Sequence, residues 1–169
     1  GTSTLLFPRR FHAAIVSSQK MKIGDAFASM LHERYMKPAG FKKKGRTFSR
    51  AQIGYEEHHN IQGSAWNSPD TPWRFYVNSG VSFPDLAQDV TGSGFFSIHA
   101  RQRLGLFVPD TLPEYDLTEA NLEATVAEIG EALKQCSAYF QRRISVIRDS
   151  YVRRDFHLGF PHDPELRKG

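Results

Sequence analysis

The densest group of reactive side chains is Glu56-Glu57-His58-His59, two carboxyl groups and two imidazoles in consecutive positions. Carboxylates that share a surface can run general acid and base chemistry, and imidazoles beside carboxylates can hold a metal. The segment has strand character, however, and neighbours on a strand point to opposite faces. Glu56 and Glu57 therefore face apart and make a poor acid/base pair. One face would hold two ligands only, Glu57 and His59, too few for a metal site. A second group, Asp155, His157, His162 and Asp163, lies in a tail that also carries Pro161 and Pro164, where such side chains are ordinarily solvated. Neither group calls for a metal, and no cofactor is expected. Cys136 is the single cysteine, which excludes an intramolecular disulfide framework. It falls on an apolar helical stripe, where a thiol packs as a small hydrophobe.

The phosphate-cradling loops are missing. Gly92-Ser93-Gly94 lacks the further glycine of a dinucleotide fingerprint and the Gly-Lys-Ser/Thr end of a P-loop, and there is no Gly-x-Ser-x-Gly elbow. Charge is more informative. Lys37, Lys42, Lys43, Lys44, Arg46 and Arg50 follow one another without an acid, and Arg142, Arg143, Arg148, Arg153 and Arg154 gather further on. Asp110, Glu114, Asp116, Glu119, Glu123, Glu128 and Glu131 form the opposite block. The chain is polarised, with a net charge of only +4. Lys42, Lys43, Lys44, Arg46 and Arg50, in a basic turn, are candidate phosphate contacts for nucleic acid, with Trp66 or Tyr76 as stacking platforms.

A polar sheet face is the other candidate site. Gln62, Ser64 and Trp66 share one face of a strand, Arg74, Tyr76 and Asn78 one face of the next, and His99, Arg101 and Arg103 one face of a third. If the three sets lie on one side of the sheet, they offer amide, hydroxyl, imidazole and guanidinium groups to an anionic or peptide ligand.

The elements that must position these residues are legible from periodicity. Ile23, Phe27, Met30, Leu31 and Tyr35 form a helical stripe that Pro38 and Gly40 stop. Strand character follows over about 45–53, 56–66, 73–83 and 94–104. In the third of these, Trp73, Phe75, Val77 and Val81 alternate with Arg74, Tyr76, Asn78 and Gly80, so one face is buried. Turn-rich segments separate the strands and favour an antiparallel meander. Leu122, Val126, Ile129, Leu133, Cys136, Phe140, Ile144, Ile147 and Tyr151 then mark a long helical stripe, with Thr118 as N-cap and Leu117 and Leu122 as hydrophobic staple. Unbroken to Arg154, such a helix outruns a domain of this size, so a kink or break is expected near Gly130 or Ser145.

With 169 residues, 40% hydrophobic and 24% charged, the composition is that of one globular domain. No apolar run is long enough to span a bilayer, so no membrane is expected as partner. Residues 1–20, basic and acid-free, read as a disordered or extended leader, with a transit peptide as the alternative. Residues 21–155 read as the domain and 156–169 as an extended C-terminal tail.

Four strings carry a resemblance: Gly40-Phe41-Lys42-Lys43-Lys44-Gly45-Arg46-Thr47-Phe48-Ser49-Arg50, Asn60-Ile61-Gln62-Gly63-Ser64-Ala65-Trp66, Phe75-Tyr76-Val77-Asn78-Ser79-Gly80-Val81 and His99-Ala100-Arg101-Gln102-Arg103-Leu104-Gly105. In this order they resemble a bacterial domain-of-unknown-function family, the one numbered four-three-zero-four, across roughly Ile23 to Tyr151. The resemblance implies a small α+β domain and no established activity, so no catalytic residue is carried over from it.

The expected architecture is α+β: a four-stranded antiparallel sheet with an N-terminal helix and a long or broken C-terminal helical segment on one face. The expected function is a non-enzymatic binding or interaction module of a bacterial cytoplasmic protein with a protein partner, one form being a protein that protects its partner. The alternatives are a nucleic-acid binder using the 42–50 turn and a small-ligand or enzyme site on the polar sheet face. A deep, polar pocket holding Arg74, Asn78 and His99 would favour the last, a flat, continuous basic face the second, and a large exposed apolar patch the first.

Overall fold

The computed structural model describes residues 23–68 and 72–168; the expected leader at 1–20 lies outside them. Helix α1, described from residue 23 to 31, carries its apolar stripe inward through Phe27, Ala28 and Leu31. It loosens into one π-helical turn, His32–Met36, and ends in a turn through Lys37–Gly40.

The main sheet has six strands, not four: β1 (Lys42–Lys44), β2 (Thr47–Gln52), β3 (Tyr55–Gly63), β4 (Trp73–Ser82), β5 (Ala100–Arg103) and β6 (Tyr115–Leu117). The path runs β1-β2-β3-β4-β5, and β6 joins β4 beyond the end of β5; every pairing is antiparallel. β1 was expected as part of a basic turn. Its three exposed lysines instead form an edge strand, where charge discourages pairing with another chain. β6 has three residues, too few for a period-2 signal. The strand expected over 94–104 is shortened to Ala100–Arg103. Phe95–Ser97 is a 3-10 turn, and His99 is tied to the preceding connection, its Nδ1 accepting from the Phe83 N–H at 3.0 Å and its Nε2 donating to the Leu86 carbonyl at 2.7 Å.

One face of the sheet carries Phe48, Tyr55, Ile61, Trp73, Phe75, Val77, Val81, Tyr115 and Leu117 into the core, where α1 and α2 (Leu122–Val152) cover it. Ring contacts tie the layers: Phe27 meets Phe75 at 4.9 Å, and Phe75 stacks on Tyr115 at 5.4 Å. Thr118 and Asn121 exchange hydrogen bonds in capping-box fashion, Thr118 Oγ1 accepting from Asn121 N–H and Asn121 Oδ1 from Thr118 N–H. The regular helix nevertheless begins only at Leu122.

The expected break in α2 is absent. The helix runs 31 residues, about 46 Å at 1.5 Å per residue, without interruption. Its far end is covered because the tail folds back. β7 (Phe156–His157) and β8 (Phe160–Pro161) form a hairpin whose Phe160 is fully buried against Phe107, and Asp163 accepts from Tyr139 and Arg143 of α2. Residues 156–163 are thus packed on the domain and do not run out as an arm.

Gly130 is a contact, not a hinge. A Cβ there would lie 2.4 Å from Cγ of the Tyr35 ring, so the glycine lets the π turn approach α2. Alanine gains up to about 1 kcal/mol of helix propensity but incurs about 1–3 kcal/mol of overpacking. Gly130→Ala is expected to lower the urea midpoint at unchanged m, by a net of about 1–2 kcal/mol. A raised midpoint would show that Tyr35 moves aside freely.

Candidate ligand-binding groove

The alternation that sends Phe75, Val77 and Val81 inward leaves Arg74, Tyr76, Asn78 and Gly80 on the opposite, open face. The cross-strand register decides what joins them. Asn78 pairs with Asn60 on β3 and with Arg103 on β5, and Tyr76 pairs with Gln62. Gln62, Arg74, Tyr76, Asn78, Arg101 and Arg103 therefore share one side of the sheet. Three expected members do not. Ser64 and Trp66 lie in the turn after β3, the Ser64 hydroxyl accepting from the Trp66 N–H while the Trp66 side chain is 90% exposed. His99 precedes β5 and is held by backbone groups through both nitrogens.

The open-face residues form a connected network. Arg103 Nη1 donates to Gln62 Oε1 at 2.9 Å and to Asn78 Oδ1 at 2.6 Å, and its guanidinium lies 4.3 Å from the Tyr76 ring centroid. Asn78 Nδ2 donates to Gln62 Oε1 and Asn60 Oδ1, and Asn60 Nδ2 passes the chain to Thr47. Arg101 Nη1 donates to the Phe96 carbonyl at 2.6 Å. Arg74, at the other end of β4, is neutralised by Asp116 at 2.9 Å and Glu114 at 3.4 Å.

A groove of about 530 Å3 opens over this end of the sheet. Gln62, Asn78, Phe96, His99, Arg101, Arg103 and Phe156 are among the residues that line it. Its volume is that of a small-ligand site. Arg101 and Arg103 have no carboxylate partner among the described residues, whereas Arg34, Arg142, Arg143, Arg148 and Arg154 each reach one.

The second candidate set is divided. Lys42, Lys43 and Lys44 are exposed, with Lys42 and Lys44 on the open face at the sheet edge opposite β5. Arg46 binds Asp25 and lies over Trp73 at 4.7 Å. Arg50 donates to Ala39 and to Glu57 and lies over Phe41 at 4.4 Å.

Sequence reasoning missed a third constellation, on the covered side. Glu57, His59 and Ser79 are fully buried. His59 Nε2 donates to Glu57 at 2.5 Å, Nδ1 lies 2.7 Å from the Ser79 hydroxyl, Ser137 of α2 donates to the same carboxylate, and Arg50 donates at 2.9 Å. Burial alone would raise the Glu57 carboxyl, but the His59, Ser137 and Arg50 contacts outweigh it and hold it at about 2. Burial pushes the Cys136 thiol up, away from thiolate chemistry. Serine, histidine and glutamate in line resemble a hydrolytic triad, yet all three are fully buried. The signal available in the sequence was two polar side chains, Glu57 and His59, at the same period-2 positions as Tyr55 and Ile61, on the core-facing side of the strand. The tail histidines and acids are divided: His162 pairs with Asp155 and its ring lies 5.9 Å from that of His157, while Asp163 turns inward to Arg143. No cluster of three metal-ligating side chains occurs among the described residues.

The family model for a domain of unknown function, DUF4304, matches residues 32–147. The chain belongs to the DUF4304 family. Comparison with curated proteins and with solved structures gives no match. The DUF4304 span holds Gln62, Asn78 and all of β5, while Phe156 and Gly159, also at the groove, lie C-terminal to it. Among the described residues of this DUF4304 chain, no helix is long and apolar enough to cross a membrane.

Proposed function

We propose that this chain is a non-enzymatic binding module whose groove beside β5 receives an anionic group, a carboxylate or a phosphate, between Arg101 and Arg103. The observation that carries this reading is the pair of guanidiniums lining a groove without a carboxylate partner among the described residues. Guanidinium forks match both anions bidentately. The polar lining favours ligand recognition, as does the presence of Asn78 and His99, although Arg74 is absent. His99 has both nitrogens committed, which argues for recognition and against acid/base chemistry.

Titrating the full chain with inorganic phosphate, followed by the NMR resonances of the arginine side chains, tests this. Saturable shifts at Arg101 and Arg103 are expected, with affinity falling about tenfold or more in Arg101→Gln and in Arg103→Gln. Shifts that are absent, or that persist in the double variant, would remove the proposal. A second reading rests on Lys42 and Lys44 sharing the open face with both arginines, roughly 19 Å away across four strand spacings. That spread suits a single-stranded nucleic acid. Its mark would be a steep salt dependence of oligonucleotide binding, reduced in a Lys42, Lys43, Lys44 to Ala variant.

A further inference from the structure

The β7–β8 hairpin beside the groove turns in two residues, since His157 pairs with Phe160. Leu158 and Gly159 have φ of 55° and 72°, the pattern of a type I′ turn. Asn or Gly ordinarily fills the first of these positions, because the left-handed region disfavours larger side chains. Here it holds a leucine that is 59% exposed. Neither the backbone nor solvation calls for leucine at this tip. The tip is also fixed in place: Gln102 of β5 donates through Nε2 to the Leu158 carbonyl at 2.8 Å. Phe96, 52% exposed, and Phe156, 44% exposed, line the same groove. Phe96 and Phe156 of the lining, with Leu158 next to the lining residue Gly159, thus put apolar side chains near two guanidiniums that have no carboxylate partner among the described residues, and aromatic and Arg side chains together are what anchors protein interfaces. Arg101 and Arg103 are two residues apart on one strand face, about 7 Å, which is also the repeat of alternate side chains on an extended peptide.

We infer that the groove docks an acidic segment of another protein, its carboxylates on Arg101 and Arg103 and an apolar side chain against Leu158, Phe96 and Phe156. This rests on the anion-binding reading of the groove and adds the occupant. A nucleic acid would meet the same cations but would gain little from an aliphatic leucine held at a hairpin tip.

The test is selection of a displayed random dodecapeptide library on the full chain, followed by fluorescence anisotropy with the enriched peptides. Acidic residues at alternate positions beside a large apolar one are expected. Leu158→Asn should weaken those peptides at least about tenfold while leaving phosphate binding intact and thermal stability equal or higher, because Asn suits the turn. A library without acidic enrichment, or peptides that bind Leu158→Asn as well as wild type, overturns the inference even where phosphate still binds. A single-stranded oligonucleotide that displaces the peptides at lower concentration than they bind would assign the groove to nucleic acid instead. Phosphate failing to bind the wild type would overturn the anion reading itself.

Discussion

Glu57→Ala is expected to cost about 3–5 kcal/mol, a fall of about 10 °C in the thermal midpoint. The carboxylate is fully buried, and its removal leaves His59 and Ser137 without their acceptor and Arg50 without its counter-charge. Glu57→Gln keeps the volume and an acceptor oxygen, so it should recover part of the loss. The effect depends on pH in a defined direction. Because the folded-state carboxyl titrates near 2 against an ordinary 4.5, its contribution is present in full above about pH 5 and is lost as pH falls toward 2. That shift corresponds to about 3 kcal/mol. Thermal melts of wild type and Glu57→Gln between pH 6 and 2.5 should therefore converge at the acid end. Parallel curves, or an alanine variant within about 1 kcal/mol of wild type, would show that the buried network is dispensable.

Gly80→Ala should separate β5 from the sheet. A Cβ at Gly80 would lie 2.3 Å from the Ala100 carbonyl oxygen, 2.6 Å from Ile98 Cδ1 and 2.9 Å from the Arg101 Cα. Two of those atoms belong to the backbone of the strand that carries Arg101 and Arg103, so relief requires moving the strand itself. The expected cost is about 3 kcal/mol, the upper part of the overpacking range. The same movement displaces the Arg103 guanidinium from Gln62 and Asn78 and that of Arg101 from the Phe96 carbonyl, so phosphate binding should be lost with stability. Urea unfolding and the phosphate titration read the two effects separately. A variant that keeps both would mean that the β4–β5 pairing tolerates a methyl group and that groove geometry does not depend on Gly80.

These expectations use residues that differ in how far sequence alone reveals them. Alternation over Trp73, Phe75, Val77 and Val81 was enough to place Arg74, Tyr76 and Asn78 together on the opposite face, and parity was enough to part Glu56 from Glu57. The continuous stripe from Leu122 to Tyr151 was enough to announce a long helix. Gly130 misled, because a glycine on a helix reads alike whether it bends the helix or admits a ring, and only Tyr35 distinguishes the two. Leu158 was invisible as an anchor, since its meaning depends on a positive φ set by hairpin closure.

What the sequence determined by itself is direction: which way each side chain points relative to its own strand or helix, because backbone geometry imposes periods of 2 and 3.6 on every chain. Tertiary structure decided adjacency. Arg103 meets Gln62 from 41 positions away and Glu57 meets Ser137 from 80. Such pairs follow from strand register and from packing of α2 on the sheet. The same long-range packing decided that Glu57 and His59 are buried, that the tail covers α2, and that two arginines beside a groove have no acid partner among the described residues.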